Sequence, residues 1–104
     1  MSAVTAVSGS SPAFVFLFLE AMADAAVAEG MPRKEAYTFA AQTILGSAKL
    51  YLETEKHPGE LKDMVCSPGG TTIEGVHMLK KLGFETAVQQ AIEAIIEKDK
   101  KLGE

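Results

Sequence analysis

The sequence predicts an all-α domain of about five helices, and three observations carry that reading. No segment alternates apolar and polar residues between hairpin signals, as a half-buried strand would. Proline and glycine cluster at Gly30-Met31-Pro32, His57-Pro58-Gly59, Ser67-Pro68-Gly69-Gly70 and Gly83, dividing the chain into helix-length stretches. The last stretch carries Ala87, Val88, Ala91, Ile92, Ile95 and Ile96 at helical spacing against Glu93, Glu97 and Lys101, which is an amphipathic helix.

In chain order, Ser10 or Ser11 can cap a first helix with Pro12 in its first turn, running to a stop at Gly30. Pro32 opens a second that should reach about Thr54. From Ala36 through Ala48 this helix has no charged residue. It should therefore be enclosed by protein on most sides, which so short a chain can hardly arrange alone. Small residues at Ala36, Ala40, Thr43 and Ser47 would let another helix approach closely. With the apolar first helix, this predicts an interlocked homodimer; higher assembly of dimers stays open. A short third helix is expected from Pro58 to about Val65, a fourth from Thr71 to Leu82 closed by Gly83, and a fifth from Glu85 to Leu102.

Composition narrows the function classes. The chain has 104 residues, 47% hydrophobic, with no Trp and a net charge of −4. A domain of this length buries barely enough surface to fold alone, so a partner surface would help. The acidic balance and the lack of a Lys/Arg cluster argue against nucleic acid or an anionic membrane as partners. The single Cys suits a reducing, cytoplasmic setting. Residues 1–19 are uncharged, but the apolar run from Pro12 to Leu19 is too short to span a bilayer and lacks the flanks of a signal peptide.

The most informative segment is Cys66-Ser67-Pro68-Gly69-Gly70-Thr71-Thr72, where a Pro-Gly-Gly turn and two threonines meet the start of a helix. Glycines let the backbone approach a ligand, and the first helical turn offers N–H groups that have no partner inside the helix. Those donors favour a carboxylate or phosphate. A plain helix start would have the same appearance. Thr71-x-x-Glu74 matches a capping box. With Thr71 as cap, the N–H groups of Thr72 and Ile73 stay open for a ligand beside the Thr72 hydroxyl. Other candidates are weaker. Glu74-x-x-His77 is one half of a di-metal pattern without its second half, so no metal is expected. His57 reads as a turn residue, Cys66 as a packed side chain without a base, and Glu20 and Asp24 as solvated acids.

These motifs, taken together, resemble pyrroline-5-carboxylate reductase. Ser8-Gly9-Ser10-Ser11-Pro12-Ala13-Phe14 is similar to its interdomain motif. Glu20 to Ala25, Gly30-Met31-Pro32-Arg33, Ala40-Ala41-Gln42-Thr43 and Gly46-Ser47-Ala48-Lys49 are similar to its C-terminal helices. His57-Pro58-Gly59-Glu60-Leu61-Lys62-Asp63 then leads into the family's signature loop. Ser11 departs from the usual Gly, and Cys66 from Thr or Ser.

The resemblance covers nearly the whole chain and implies the dimerising C-terminal domain of a 6-phosphogluconate-dehydrogenase-like reductase. Residues 1–10 would be an interdomain segment and 11–104 the helical dimerisation and substrate-binding domain. No G-x-G-x-x-G motif occurs here. The N-terminal dinucleotide-binding domain would therefore be absent, and the NADPH or NADH of the full enzyme is not expected to bind this chain. The resemblance further implies that Gly69, Gly70, Thr71 and Thr72 hold the substrate carboxylate, that Thr72 orients or protonates the imine nitrogen, and that Ser67 shapes the loop. Glu55 would lie near the substrate region. The alternatives are a stand-alone helical dimerisation or small-carboxylate-binding module without redox activity, and a paralogue with another substrate.

Overall fold

The computed structural model describes residues 3–103, which form six α-helices and one π-helical turn, with no strand among the described residues. The elements are α1 (Ala3–Thr5), the π turn (Ala6–Ser10), α2 (Pro12–Ala28), α3 (Arg33–Thr54), α4 (Pro58–Val65), α5 (Thr71–Lys81) and α6 (Phe84–Gly103). The chain divides into two units: Pro12–His57, and the residues up to Ser11 together with those from Pro58 onward.

The first unit is the hairpin of α2 and α3. Gly30, at φ +105°, lets the Met31 N–H reach the Ala26 carbonyl (3.0 Å) and the Gly30 N–H reach that of Val27 (2.9 Å). This pair of bonds is a Schellman ending, which needs a left-handed residue after the helix. Pro32, extended at ψ 141°, caps α3, and its carbonyl accepts the Ala36 N–H at 2.9 Å. An ion pair from Arg33 to Asp24 at 2.8 Å joins the facing ends of the two helices. The helices pack on small residues, with Ala23, Ala36 and Ala40 buried.

That narrow contact leaves large apolar side chains outside it. Phe16, Leu17, Phe39 and Leu45 are each more than 60% exposed. The uncharged stretch of α3 is thus not enclosed within its own hairpin, contrary to what its composition demands of the functioning assembly. Among the described residues, the buried hydrophobic side chains are all alanines.

In the second unit the π turn and α5 both pack on α6, with Ala6 fully buried and Ala91, Ile92, Ile95 and Ile96 half-buried. Ala87 and Val88, expected on the same apolar stripe, are exposed. Gly83, at φ +83°, ends α5 and turns the chain into α6, and a Lys80 to Glu85 ion pair at 2.7 Å spans the junction. Ala3–Ser10, within the expected interdomain segment, is helical. Neither Ser10 nor Ser11 caps α2. Ser11 has helical backbone angles, and its hydroxyl points backward to the Ala6 carbonyl at 2.7 Å. Among the described residues, no single helix is long and apolar enough to cross a membrane.

Candidate functional site

The loop between α4 and α5 is built from two successive reversals. The Cys66 N–H donates to the Asp63 carbonyl at 3.1 Å as α4 ends, and the Gly70 N–H donates to the Ser67 carbonyl at 3.0 Å. In the second turn Pro68 occupies the position where a fixed φ helps, and Gly69 the next one, at φ +68°. That order and that angle match a type II turn, which requires a left-handed residue in third place.

The two adjacent glycines serve different ends. Gly69 is needed for its backbone angle, since an L side chain is strained at positive φ. Gly70 has φ −84° and ψ 179°, open to any residue. What excludes a side chain there is Ser67: an added Cβ would stand 2.5 Å from the Ser67 Oγ and 3.2 Å from its carbonyl oxygen.

Gly70 is also the N-cap of α5, without any side-chain cap hydrogen bond. This corrects the expected capping box, because Thr71 is the first helical residue and not the cap. The turn closed by the Gly70 N–H starts the helix one residue earlier than residue type suggests. The N–H groups of Thr71, Thr72 and Ile73 precede the first intrahelical acceptor bond, and no side chain closes them off. In the capping box, the Glu74 carboxylate would have occupied the Thr71 N–H. The open end of α5 therefore offers a fuller set of donors than the sequence implied, at the positive end of the helix dipole. Thr71 and Thr72 are exposed, Gly70 half-buried.

Among the expected site residues, Ser67, Gly69, Gly70, Thr71 and Thr72 thus share one loop and helix start. Glu55 lies in the hairpin unit, as the C-cap of α3. Its φ of 55° is left-handed, uncommon for a residue other than Gly or Asn, and its N–H donates to the Tyr51 carbonyl at 2.7 Å. Sequence reasoning had no signal for that conformation. Glu74 and His77 are exposed on α5, and no group of three or more His, Cys, Asp or Glu among the described residues could hold a metal ion. Cys66 is half-buried and not in a disulfide. The described residues contain no strand leading into a helix through a glycine loop.

Chemically, an uncapped helix start beside a glycine turn and hydroxyl groups can hold a small carboxylate and present a neutral donor to an adjacent atom.

The family described as pyrroline-5-carboxylate reductase dimerisation matches residues 1–102. The chain is 65% identical to the pyrroline-5-carboxylate reductase of Escherichia coli over 99 residues, which are 95% of this chain and 37% of that protein. It is 59% identical to the enzyme of that name from Methanosarcina acetivorans, over 99% of this chain and 38% of that protein. In crystal structures, a pyrroline carboxylate reductase from Plasmodium falciparum with NADP bound superposes with a TM-score of 0.94 at 39% identity, covering 98% of this chain and 39% of that one. The 1-pyrroline-5-carboxylate reductase of Streptococcus pyogenes gives 0.92 at 42% identity, over 95% and 38%. The chain thus spans well under half the length of the relatives it matches.

Proposed function

The chain belongs to the pyrroline-5-carboxylate reductase dimerisation family, and from that premise we propose that it serves a reductase converting 1-pyrroline-5-carboxylate to L-proline, as dimer interface and substrate-carboxylate loop. The single observation that carries the site is the uncapped start of α5, with Thr71, Thr72 and Ile73 presenting their N–H groups beyond the Ser67-to-Gly70 turn. The substrate carboxylate accepts from these donors. The Thr72 hydroxyl then donates to the ring nitrogen, and Ser67 and Gly69 shape the loop.

An imine with a hydrogen-bonded or protonated nitrogen accepts hydride at carbon readily, so the chain's contribution is placement and polarisation. The hydride comes from NADPH or NADH held by a dinucleotide domain of the longer protein. Glu55, strained at the end of α3, is the weakest member of the proposed set, supported by its exposed carboxylate and the family resemblance.

The same reading makes the protein a homodimer. The large apolar side chains that α2 and α3 leave exposed support a second copy as the cover. The experiment compares this chain with the full-length protein that carries it. The full-length protein should oxidise NADPH or NADH when given 1-pyrroline-5-carboxylate, whereas this chain alone should do neither that nor bind the cofactor. An inactive full-length protein, or tight cofactor binding by this chain, overturns the assignment.

A further inference from the structure

Gly30, Gly69 and Gly83 are required by their left-handed backbone angles, and Gly70 by the crowding of Ser67. Gly75 answers to neither constraint. It lies in the interior of α5 with no left-handed angle, it is exposed, and a Cβ built on it would meet nothing within 4 Å. After proline, glycine is the least favourable residue in a helix interior, so alanine would suit α5 better. Nothing within the helix offsets that loss. Gly46 of α3 is nearly as open, meeting only the end of Gln42 at 4.0 Å, but it stands in the uncharged stretch for which a second copy is the proposed cover.

The position of Gly75 on the helix explains what its missing side chain leaves clear. At about 100° per residue, position 75 falls between Thr71 and Thr72, about 40° from the first and 60° from the second, one turn further along α5. The Cα–Cβ bond of a helical residue tilts toward the N-terminus, so each side chain covers the turn before its own residue. A side chain at 75 would thus lean over the gap between the two threonines, starting about 5–6 Å from their Cβ atoms. That gap borders both the open N–H groups and the Thr72 hydroxyl. A cyclic ligand whose carboxylate rests on the helix end and whose nitrogen meets Thr72 has its ring on this flank.

We infer that Gly75 is a specificity-determining residue: by lacking a side chain it keeps the Thr71–Thr72 flank of α5 open to the ring of a cyclic imino carboxylate, and so sets how large a ring the site admits. This rests on the reading given under Proposed function.

The test uses the full-length protein with Gly75→Ala and Gly75→Leu, both better helix formers than the wild type. Melting temperature and sedimentation read the fold and the assembly without reference to activity. Neither variant should melt below wild type or dissociate, and Gly75→Ala should melt about 2–4 °C higher. In kinetics, Gly75→Leu should raise the KM for 1-pyrroline-5-carboxylate about 5- to 150-fold, the range that overpacking a filled space costs. The ratio of kcat/KM for a six-membered cyclic imino carboxylate to that for the five-membered one should fall from glycine to alanine to leucine. A Gly75→Leu protein that melts lower or loses its dimer would show that another helix packs on this glycine, and would overturn the inference. An unchanged KM and an unchanged ratio would overturn it as well. A wild-type full-length protein that reduces neither imino acid refutes the assigned reaction itself, and the inference with it.

Discussion

The hydroxyl of Ser67 occupies the space that a side chain on Gly70 would need, with 2.5 Å between its Oγ and the added Cβ. Because Gly70 has an ordinary backbone conformation, its replacement is a contest of volume and not of strain. Gly70→Ala should therefore turn Ser67 out of place and press its carbonyl, raising the KM for the imino acid more than it lowers the melting temperature. In Ser67→Ala the hydroxyl is already gone, so adding Gly70→Ala should cost little more in affinity. Such contacting pairs are non-additive. Gly69→Ala differs, because a left-handed L residue costs roughly 1–2 kcal/mol whatever its neighbours. Thermal melts and steady-state kinetics on the double-mutant cycle decide it; strict additivity of Ser67→Ala and Gly70→Ala would show that the contact is unimportant.

Thr72→Ala removes a hydroxyl from the first turn of α5 and leaves every backbone donor in place. If the hydroxyl serves the reacting nitrogen, turnover should fall about 10- to 100-fold, as for a hydrogen bond to a group gaining charge. The KM should change little, since carboxylate binding uses backbone N–H groups. A KM effect without a kcat effect would make Thr72 a binding group only.

The Lys80 ammonium, hydrogen-bonded to Glu85 at the α5 to α6 junction, holds that carboxyl below its usual range, with Lys62 adding to the effect. A depressed folded pKa stabilises the protein above the unfolded value and ceases to do so as pH falls through the folded value. Lys80→Gln should thus return the Glu85 titration toward an ordinary carboxyl and lower stability at neutral pH. The difference from wild type should vanish once pH falls below both titrations. Because the pair is exposed, salt should shrink it too. NMR titration of the Glu85 carboxyl checks the shift directly.

Much of this fold was legible because its punctuation is strong. Gly30 and Gly83 take the left-handed angles expected of helix stops, and Pro58 opens α4 as anticipated. Two details were hidden for the same reason: a residue type fits more than one place at a helix end. A proline after two serines reads as the first turn of a new helix, yet here the serines continue a helix through a π turn and Ser11 bonds backward. Thr71 has the side chain of a cap, yet the hydrogen bond from Gly70 to Ser67 makes Gly70 the cap. In the candidate site, the threonines and glycines were visible as types. The crowding of Gly70 by Ser67 depends on the path of the turn, which no spacing encodes.

Two substitutions on α3 separate the hairpin from the dimer. Ala40 is 5% exposed within its own chain, so Ala40→Glu buries an unpaired charge in the α2 and α3 contact and should prevent folding in any oligomeric state. Leu45 is 62% exposed, so Leu45→Glu is harmless to the hairpin itself. If a second copy covers that face, the new carboxylate is desolvated there without a partner. Truncating one side of such buried polar pairs costs about 2–5 kcal/mol. The unpaired charge should weaken association by a comparable amount. Sedimentation should then show Leu45→Glu dissociating at micromolar concentrations where the wild-type chain stays dimeric. A Leu45→Glu chain that remains a dimer of unchanged affinity would place the interface on another surface.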